Sequence, residues 1–293
     1  MVRMALVTQL EYEVLDAGCD FIFNIEAART PRQSVVTESL SLSQALKANP
    51  YLDASTQSRG FSLHALQGKF CIRYEATVDL MHFEAAPATL VELAPHMLPS
   101  HVMPYLYPSR YCQSDRLLAF TGQQFGGLST GYGRAQAIRD WVFCNVRFQG
   151  NTSNSNTSAI DTLIERVGVC RDFAHLMIAL CRAANIPARM VSGMDYGADP
   201  ALGPPDFHAD VEVYLADASG VGRWCMFDPS GTAIPMGFVR FCTGRDAADI
   251  AFATIFGRVI AAQPVVSIKV VADSTGNLPL LQHVSHALST DGP

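Results

Sequence analysis

One helix constrains this chain more than any other segment. Counted from Cys170 as i, Phe173, Ala174, Met177, Ile178, Cys181 and Ala184 recur at i+3, i+4, i+7, i+8, i+11 and i+14, which predicts a helix from Cys170 to about Ala184 buried along one face. Asn185 stops it and Pro187 prevents its continuation. Gly168 ends the preceding helix, so Cys170 falls in the first turn and at the mouth of the apolar stripe. A thiol placed there meets unpaired backbone N–H groups and the positive end of the helix dipole, which favour the thiolate. Cysteine is also a common core residue, so position alone does not make a catalyst. Catalysis further requires a histidine base and a group that orients it.

Both requirements can be met from two strands downstream. His208–Ala216 alternates Val211, Val213 and Leu215 against Asp210, Glu212 and Tyr214, and Arg223–Asp228 alternates Trp224, Met226 and Asp228 against Cys225 and Phe227. Asp217-Ala218-Ser219-Gly220-Val221-Gly222 between them is turn chemistry. A hairpin folded about residue 218 sets His208 opposite Asp228 on one face, with Cβ atoms about 5 Å apart. A register slip of one residue would separate them. Thiol attack on a carbonyl needs a thiolate, an imidazole that takes and returns a proton, and an acceptor that fixes its tautomer. Cys170, His208 and Asp228 match those three roles, although such a trio also arises by chance in a chain of 293 residues.

The remainder divides by periodicity. Residues 2–14 and 20–27 are expected as strands with a turn at Ala17–Asp20, Val35–Leu42 as a third, and Phe61–Leu66 with Lys69–Leu80 as a hairpin about Gln67-Gly68. Prolines at 87, 95, 99, 104 and 108 mark a connection, after which helical spacing takes over, as in Ala135–Val146. Ser158 and Asp161 fit a variant capping box for a helix over Ala159–Arg166. Arg189–Met194 and Val265–Val271 are expected as strands, and Asp246–Phe256 as a short helix or helical turn. The organisation expected is a β-rich N-terminal domain over 1–112, a catalytic core over 113–272 and a weakly patterned tail over 273–293.

Composition narrows the function classes. Hydrophobic residues at 49% and charged residues at 16% describe a globular chain. A formal charge of −6 and a pI near 5.7 argue against nucleic acid and anionic membrane as partners. No apolar run approaches the roughly 20 residues that span a bilayer, and the first residues lack a signal peptide's apolar stretch. The eight cysteines form no CxxC pair and no Cys/His ligand spacing, so they are read as free thiols of a cytoplasmic protein, with no metal site and no cofactor expected.

Four stretches together carry a resemblance. Gly168-Val169-Cys170-Arg171-Asp172-Phe173-Ala174-His175-Leu176, Asn185-Ile186-Pro187-Ala188-Arg189-Met190-Val191-Ser192-Gly193, Asp206-Phe207-His208-Ala209-Asp210-Val211-Glu212-Val213-Tyr214 and Trp224-Cys225-Met226-Phe227-Asp228-Pro229-Ser230 occur in this order. The chain resembles the bacterial transglutaminase-like superfamily of cysteine proteases, densely over about 130–232 and more weakly over the β-rich region before it. The resemblance implies an α+β fold: a papain-like core, with the nucleophile helix packed on an antiparallel sheet, behind a small β domain. It implies Cys170 as nucleophile, His208 as general base and acid, and Asp228 as orienting carboxylate. Where that family usually has an aromatic residue after the His-Ala pair, this chain has Asp210. A carboxylate so close to the base raises the imidazole pKa.

The activity expected is acyl transfer from a peptide or protein amide through a thioester. Hydrolysis is preferred to transglutaminase-type amine transfer because the chain has no recognisable calcium loop. A transglutaminase-like module kept only for interaction would be expected to have lost a member of the trio, and none is lost. The Cys170 N–H is the first oxyanion donor expected, with Asn145, Gln149 and Asn154 as candidates for the second. Other residues have plainer expectations: His175 packed or on the surface, Cys181 and Cys144 in the core, Arg171 and Asp172 as helix-start charges, and Gly244–Asp249 as a cleft loop or helix start.

Overall fold

Alternating buried and half-exposed side chains run through Val2–Phe23, which forms a single strand of 22 residues, β1. The computed structural model describes residues 1–197 and 207–292. After β1 come β2 (Gln33–Leu42), β3 (Asn49–Asp53) and β4 (Ser58–Leu80). From Phe61 onward β4 pairs antiparallel with β1, from Val2 opposite Leu80 to Phe23 opposite Phe61. The expected turn at 17–20 and the expected hairpin at Gln67-Gly68 are two sides of one bulge in this pairing. Val14 lies opposite Gly68 and Gly18 opposite Leu66, so residues 15–17 face residue 67 alone. Gly68 takes the extra curvature with φ +102°, a conformation a side chain resists.

Beyond β5 (Phe83–Ala85) the helical region contains α1 (Leu118–Phe125), α2 (Tyr132–Asn145), β6 (Arg147–Phe148), α3 (Ala159–Glu165), β7 (Val167–Gly168) and α4 (Cys170–Ala183). Four strands follow: β8 (Ala188–Tyr196), β9 (His208–Ala216), β10 (Gly222–Phe227) and β11 (Ile234–Gly244). They form an antiparallel sheet in the order β10-β9-β8-β11. Strand alternation gives it two different faces. Ala209, Val211 and Val213 join the core cluster that holds Phe173, Met177 and Cys181 of α4. Val191, Met226 and Phe238 cluster on the other side with Leu288 from the C-terminal segment. Every residue of α4 after Arg171 is buried, so cutting Phe173 or Met177 back to alanine costs about 2–5 kcal/mol.

The chain then turns back to its start. In place of a helix running to Phe256, α5 covers only Ala247–Ile250 and is followed by β12 (Ala253–Phe256), β13 (Val259–Ala261) and β14 (Val265–Val271). All three strands pair with β1, so residues assigned to the core from the sequence complete the N-terminal sheet. The tail is also docked. β15 (Ala287–Ser289) pairs with β5, and Asp291 meets Arg189 at 2.5 Å and Arg240 at 3.2 Å. The two units share one hydrophobic core, and polar contacts such as Thr243 N–H to Ser58 Oγ join them.

Candidate active site

The start of α4 is fixed by its own side chains. Asp172 Oδ2 accepts the Val169 N–H at 2.9 Å, satisfying a donor the helix leaves unpaired. Arg171 spans Asp172 Oδ1, the Ser153 hydroxyl and the Asn154 carbonyl, tying the 150–157 loop to the helix start. Gly168 is required by this packing: a Cβ there would lie 2.6 Å from Asp172 Cβ. The capping box of α3 is present as well, with Asp161 accepting the Ser158 N–H and hydroxyl. Cys170, the first residue of α4, is half-buried, and its thiol is close enough to the His208 ring to help raise the imidazole pKa.

His208 opens β9 and is almost fully buried. The hairpin register differs from the expected one by two residues. Phe227 pairs with Val211, so continuing the ladder sets Asp228 opposite Asp210 and not opposite His208. A two-residue shift preserves the face, and His208 Nε2 still lies 3.6 Å from Asp228 Oδ1. Asp210 comes closer, with Oδ1 3.2 Å from the same nitrogen. Nε2 therefore faces two carboxyl groups, leaving Nδ1 as the ring atom for the thiol.

Asp228 is held on every side. Its Oδ1 accepts the Ser230 N–H at 2.8 Å and hydroxyl at 2.6 Å, its Oδ2 accepts the Ala233 N–H at 3.0 Å, and Arg139 Nε donates to its carbonyl at 2.6 Å. Burial opposes its charge, but His208 and these donors outweigh burial and keep the carboxyl well below the usual range. Asp210 is different. Burial pushes it up to about 7, against the pull of His208, and neither oxygen has a hydrogen-bond partner among the described residues. Burial also works against the His208 cation, yet Asp210, Asp228 and the Cys170 thiol hold its pKa well above the ordinary imidazole value. Asp195 on β8 adds a third buried carboxyl, raised by burial and by Asp228.

The three residues expected to act together are thus brought together. Ser230, Arg139 and Asp195 were not singled out. A serine two residues after an aspartate is a turn signal that marks Ser230, whereas Arg139 and Asp195 lie on distant elements. Among the oxyanion candidates, Asn145 donates its side-chain amide to the Trp141 carbonyl and Asn154 Oδ1 accepts the Asn156 N–H. Gln149 donates its backbone N–H to Gly168 at 2.9 Å, beside the strand that leads into Cys170.

His175 is buried, stacks on Tyr111 at 4.9 Å and accepts the Ala247 N–H through Nε2. This links α4 to the segment after Gly244, where Asp246 caps α5. Cys181 is core as expected, but Cys144 is exposed, since the apolar side of α2 is set by Ala135, Ile138 and Val142. No described helix is long and apolar enough to cross a membrane.

Comparison with known proteins agrees with this architecture. Residues 119–229 match the model of the transglutaminase-like superfamily, and residues 2–92 match that of the bacterial transglutaminase N-terminal domain. A crystal structure from Cytophaga hutchinsonii, of a protein named a putative cysteine protease, is 36% identical, with a TM-score of 0.87 over 98% of this chain and 97% of that one. An uncharacterized protein of Mycobacterium leprae is 26% identical over 259 residues, covering 86% of this chain and 91% of its own length. One from Mycobacterium tuberculosis is 29% identical over 115 residues, 37% of each chain. The chain belongs to the transglutaminase-like superfamily and carries that superfamily's core behind a bacterial transglutaminase N-terminal domain.

Proposed function

We propose that this protein is a thiol-dependent acyl-transfer enzyme acting on peptide or protein amides, with hydrolysis as its main outcome. The observation that carries this reading is a buried imidazole set between a half-buried thiol at a helix start and a carboxylate held by three hydrogen bonds. Cys170 sulfur attacks the amide carbon while His208 holds the thiol proton. The oxyanion is met by the Cys170 N–H at the helix start. Collapse breaks the C–N bond, and the leaving amine takes the proton from His208. Water then attacks the thioester, His208 accepts a proton and returns it to sulfur, and the acid departs. Asp228 keeps the ring oriented and stabilises its cation throughout.

The test is selective labelling followed by turnover. Iodoacetamide should modify Cys170 faster than Cys144, although Cys144 is more exposed. Once a cleaved amide is found in a peptide library, His208→Ala should lower turnover by about 10²–10⁴-fold and Cys170→Ala should abolish it. Equal labelling of the two cysteines, or full turnover by Cys170→Ala, rejects the assignment. Repeating the assay with a primary amine measures amine transfer directly, as amide product in place of acid.

A further inference from the structure

Asp210 is the residue the acyl-transfer scheme leaves unused. It is fully buried, and among the described residues neither carboxylate oxygen has a hydrogen-bond partner. His208 Nε2 is equally orphaned: Asp210 at 3.2 Å and Asp228 at 3.6 Å lie within ion-pair distance of it, but neither makes a hydrogen bond to it. Leaving several polar atoms unpaired in one buried spot is costly, and a bound cation relieves that cost. Ligand atoms of His208, Asp210 and Asp228 all lie within 4.8 Å of one another.

We propose that His208 Nε2, Asp210 and Asp228 form a site for a small divalent transition-metal ion, of which Zn²⁺ fits best. One imidazole and two carboxylates make a three-ligand set that leaves a fourth position for water. The two carboxylates balance the ion's charge. Tetrahedral zinc at about 2.1 Å from each ligand would set ligand atoms about 3.4 Å apart, so small side-chain rotations close the site. Three ligands are too few for Ca²⁺, which takes six to eight oxygens. The Asp228 oxygens already carry the outer hydrogen bonds, from Ser230 and Ala233, that orient a metal-binding carboxylate. A cavity of about 260 Å³ lined by Tyr132, Arg139, Met226, Asp228, His283 and His286 reaches the Asp228 end of the site. The strand pattern hid the site, because i,i+2 ligands on β9 need the neighbouring strand to complete them.

Occupancy would have a direct chemical consequence. With the metal on Nε2, the ring keeps its proton on Nδ1, facing Cys170, and no longer accepts the thiol proton. This arm rests on the proposed function, whereas metal binding itself does not.

The experiment uses the full-length protein stripped of metal with a chelator. Cobalt(II) titration should give one equivalent of visible ligand-field absorption without an intense near-ultraviolet thiolate band, and Cys170→Ala should bind equally well. Calorimetry with Zn²⁺ should show Asp210→Asn losing at least about 100-fold in affinity, beyond the effect of removing a supporting contact. A thiolate band lost in Cys170→Ala would place the ion between Cys170 and His208 and overturn the proposal. So would an affinity in Asp210→Asn within a few-fold of wild type, or no binding by the wild type. The cobalt spectrum keeps the test decisive if Asp210→Asn fails to fold. Saturating Zn²⁺ should also slow Cys170 labelling in the wild type, with recovery on chelation. Unchanged labelling despite binding would reject the inhibitory arm alone.

Discussion

Replacing Asp291 by asparagine should destabilise the protein far more than a substitution in a terminal tail ordinarily does. Asp291 completes a buried group of two arginines and two carboxylates. Arg189 pairs with Glu212 and Asp291, both at 2.5 Å, while Arg240 lies 3.2 Å from Asp291 and 3.7 Å from Glu212. The group is neutral as it stands. Arg189, Arg240 and Glu212 are 4%, 1% and 1% exposed at the side chain and Asp291 is 17%. Asp291→Asn would keep the shape and leave one uncompensated positive charge. Breaking a buried pair from one side costs about 3–5 kcal/mol, and the partial exposure of Asp291 sets the expectation at the lower end, about 3 kcal/mol. That is roughly a hundred-fold in the folding equilibrium. Urea unfolding at pH 7 measures it. Burial resists the Asp291 charge, but Arg240 and Arg189 overcome it and hold its carboxyl below the usual range. The difference between wild type and variant should therefore be complete above the unfolded carboxyl's pKa, about 4, and shrink as pH falls through the folded value. A loss of no more than about 0.5 kcal/mol, the size of an ordinary surface change, would refute the buried-charge reasoning.

Three further outcomes follow from the same geometry. Gly168→Ala forces a Cβ against Asp172 and should cost about 1–3 kcal/mol in urea unfolding, with slower Cys170 labelling because the helix start moves. Burial pushes the His175 imidazole down to about 3, so its contribution to stability is present above about pH 6.5 and is lost as pH falls toward 3. His175→Gln should remove a slope of up to about 1.4 kcal/mol per pH unit in that window, measured as unfolding free energy at several pH values. Ser230→Ala removes a hydroxyl donor from a charged acceptor and should cost about 1.5–3 kcal/mol, read by thermal unfolding together with Cys170 labelling.

Signals set by local chemistry were legible in the sequence. The Ser158–Asp161 capping box and the break before Pro187 need only neighbouring residues and have the expected form, whereas α4 is buried on every face after Arg171 and not along the apolar stripe alone. Where distant segments decide the outcome, local signals misled. Ala17-Gly18-Cys19-Asp20 and Gln67-Gly68 both look like turns, yet they face each other across one ladder, and the long pairing of β1 with β4 turns them into a bulge. The hairpin register differs from the expected one by two residues because the turn residues permit more than one closure, and a two-residue shift keeps His208 and Asp228 on one face. The docked tail was not legible, since its partners Arg189 and Arg240 lie on strands that no local pattern connects to it. Asp210 stands out beside His208 in the sequence, but only the fold brings Asp195 into its surroundings.

The long first strand also has a consequence for biosynthesis. Arg3 pairs with Val271 and Gln9 with Val265, so one edge of β1 waits for almost the whole chain to be made. At about 5–20 residues per second that edge stays bare for roughly 12–50 seconds after β1 is synthesised. Its β4 side can close earlier, but an open strand edge of this length invites pairing with other chains. A fragment ending at residue 112 would never receive β12, β13 and β14, so it should accumulate as aggregate while the full chain folds. The N-terminal unit comes first in sequence but is completed last.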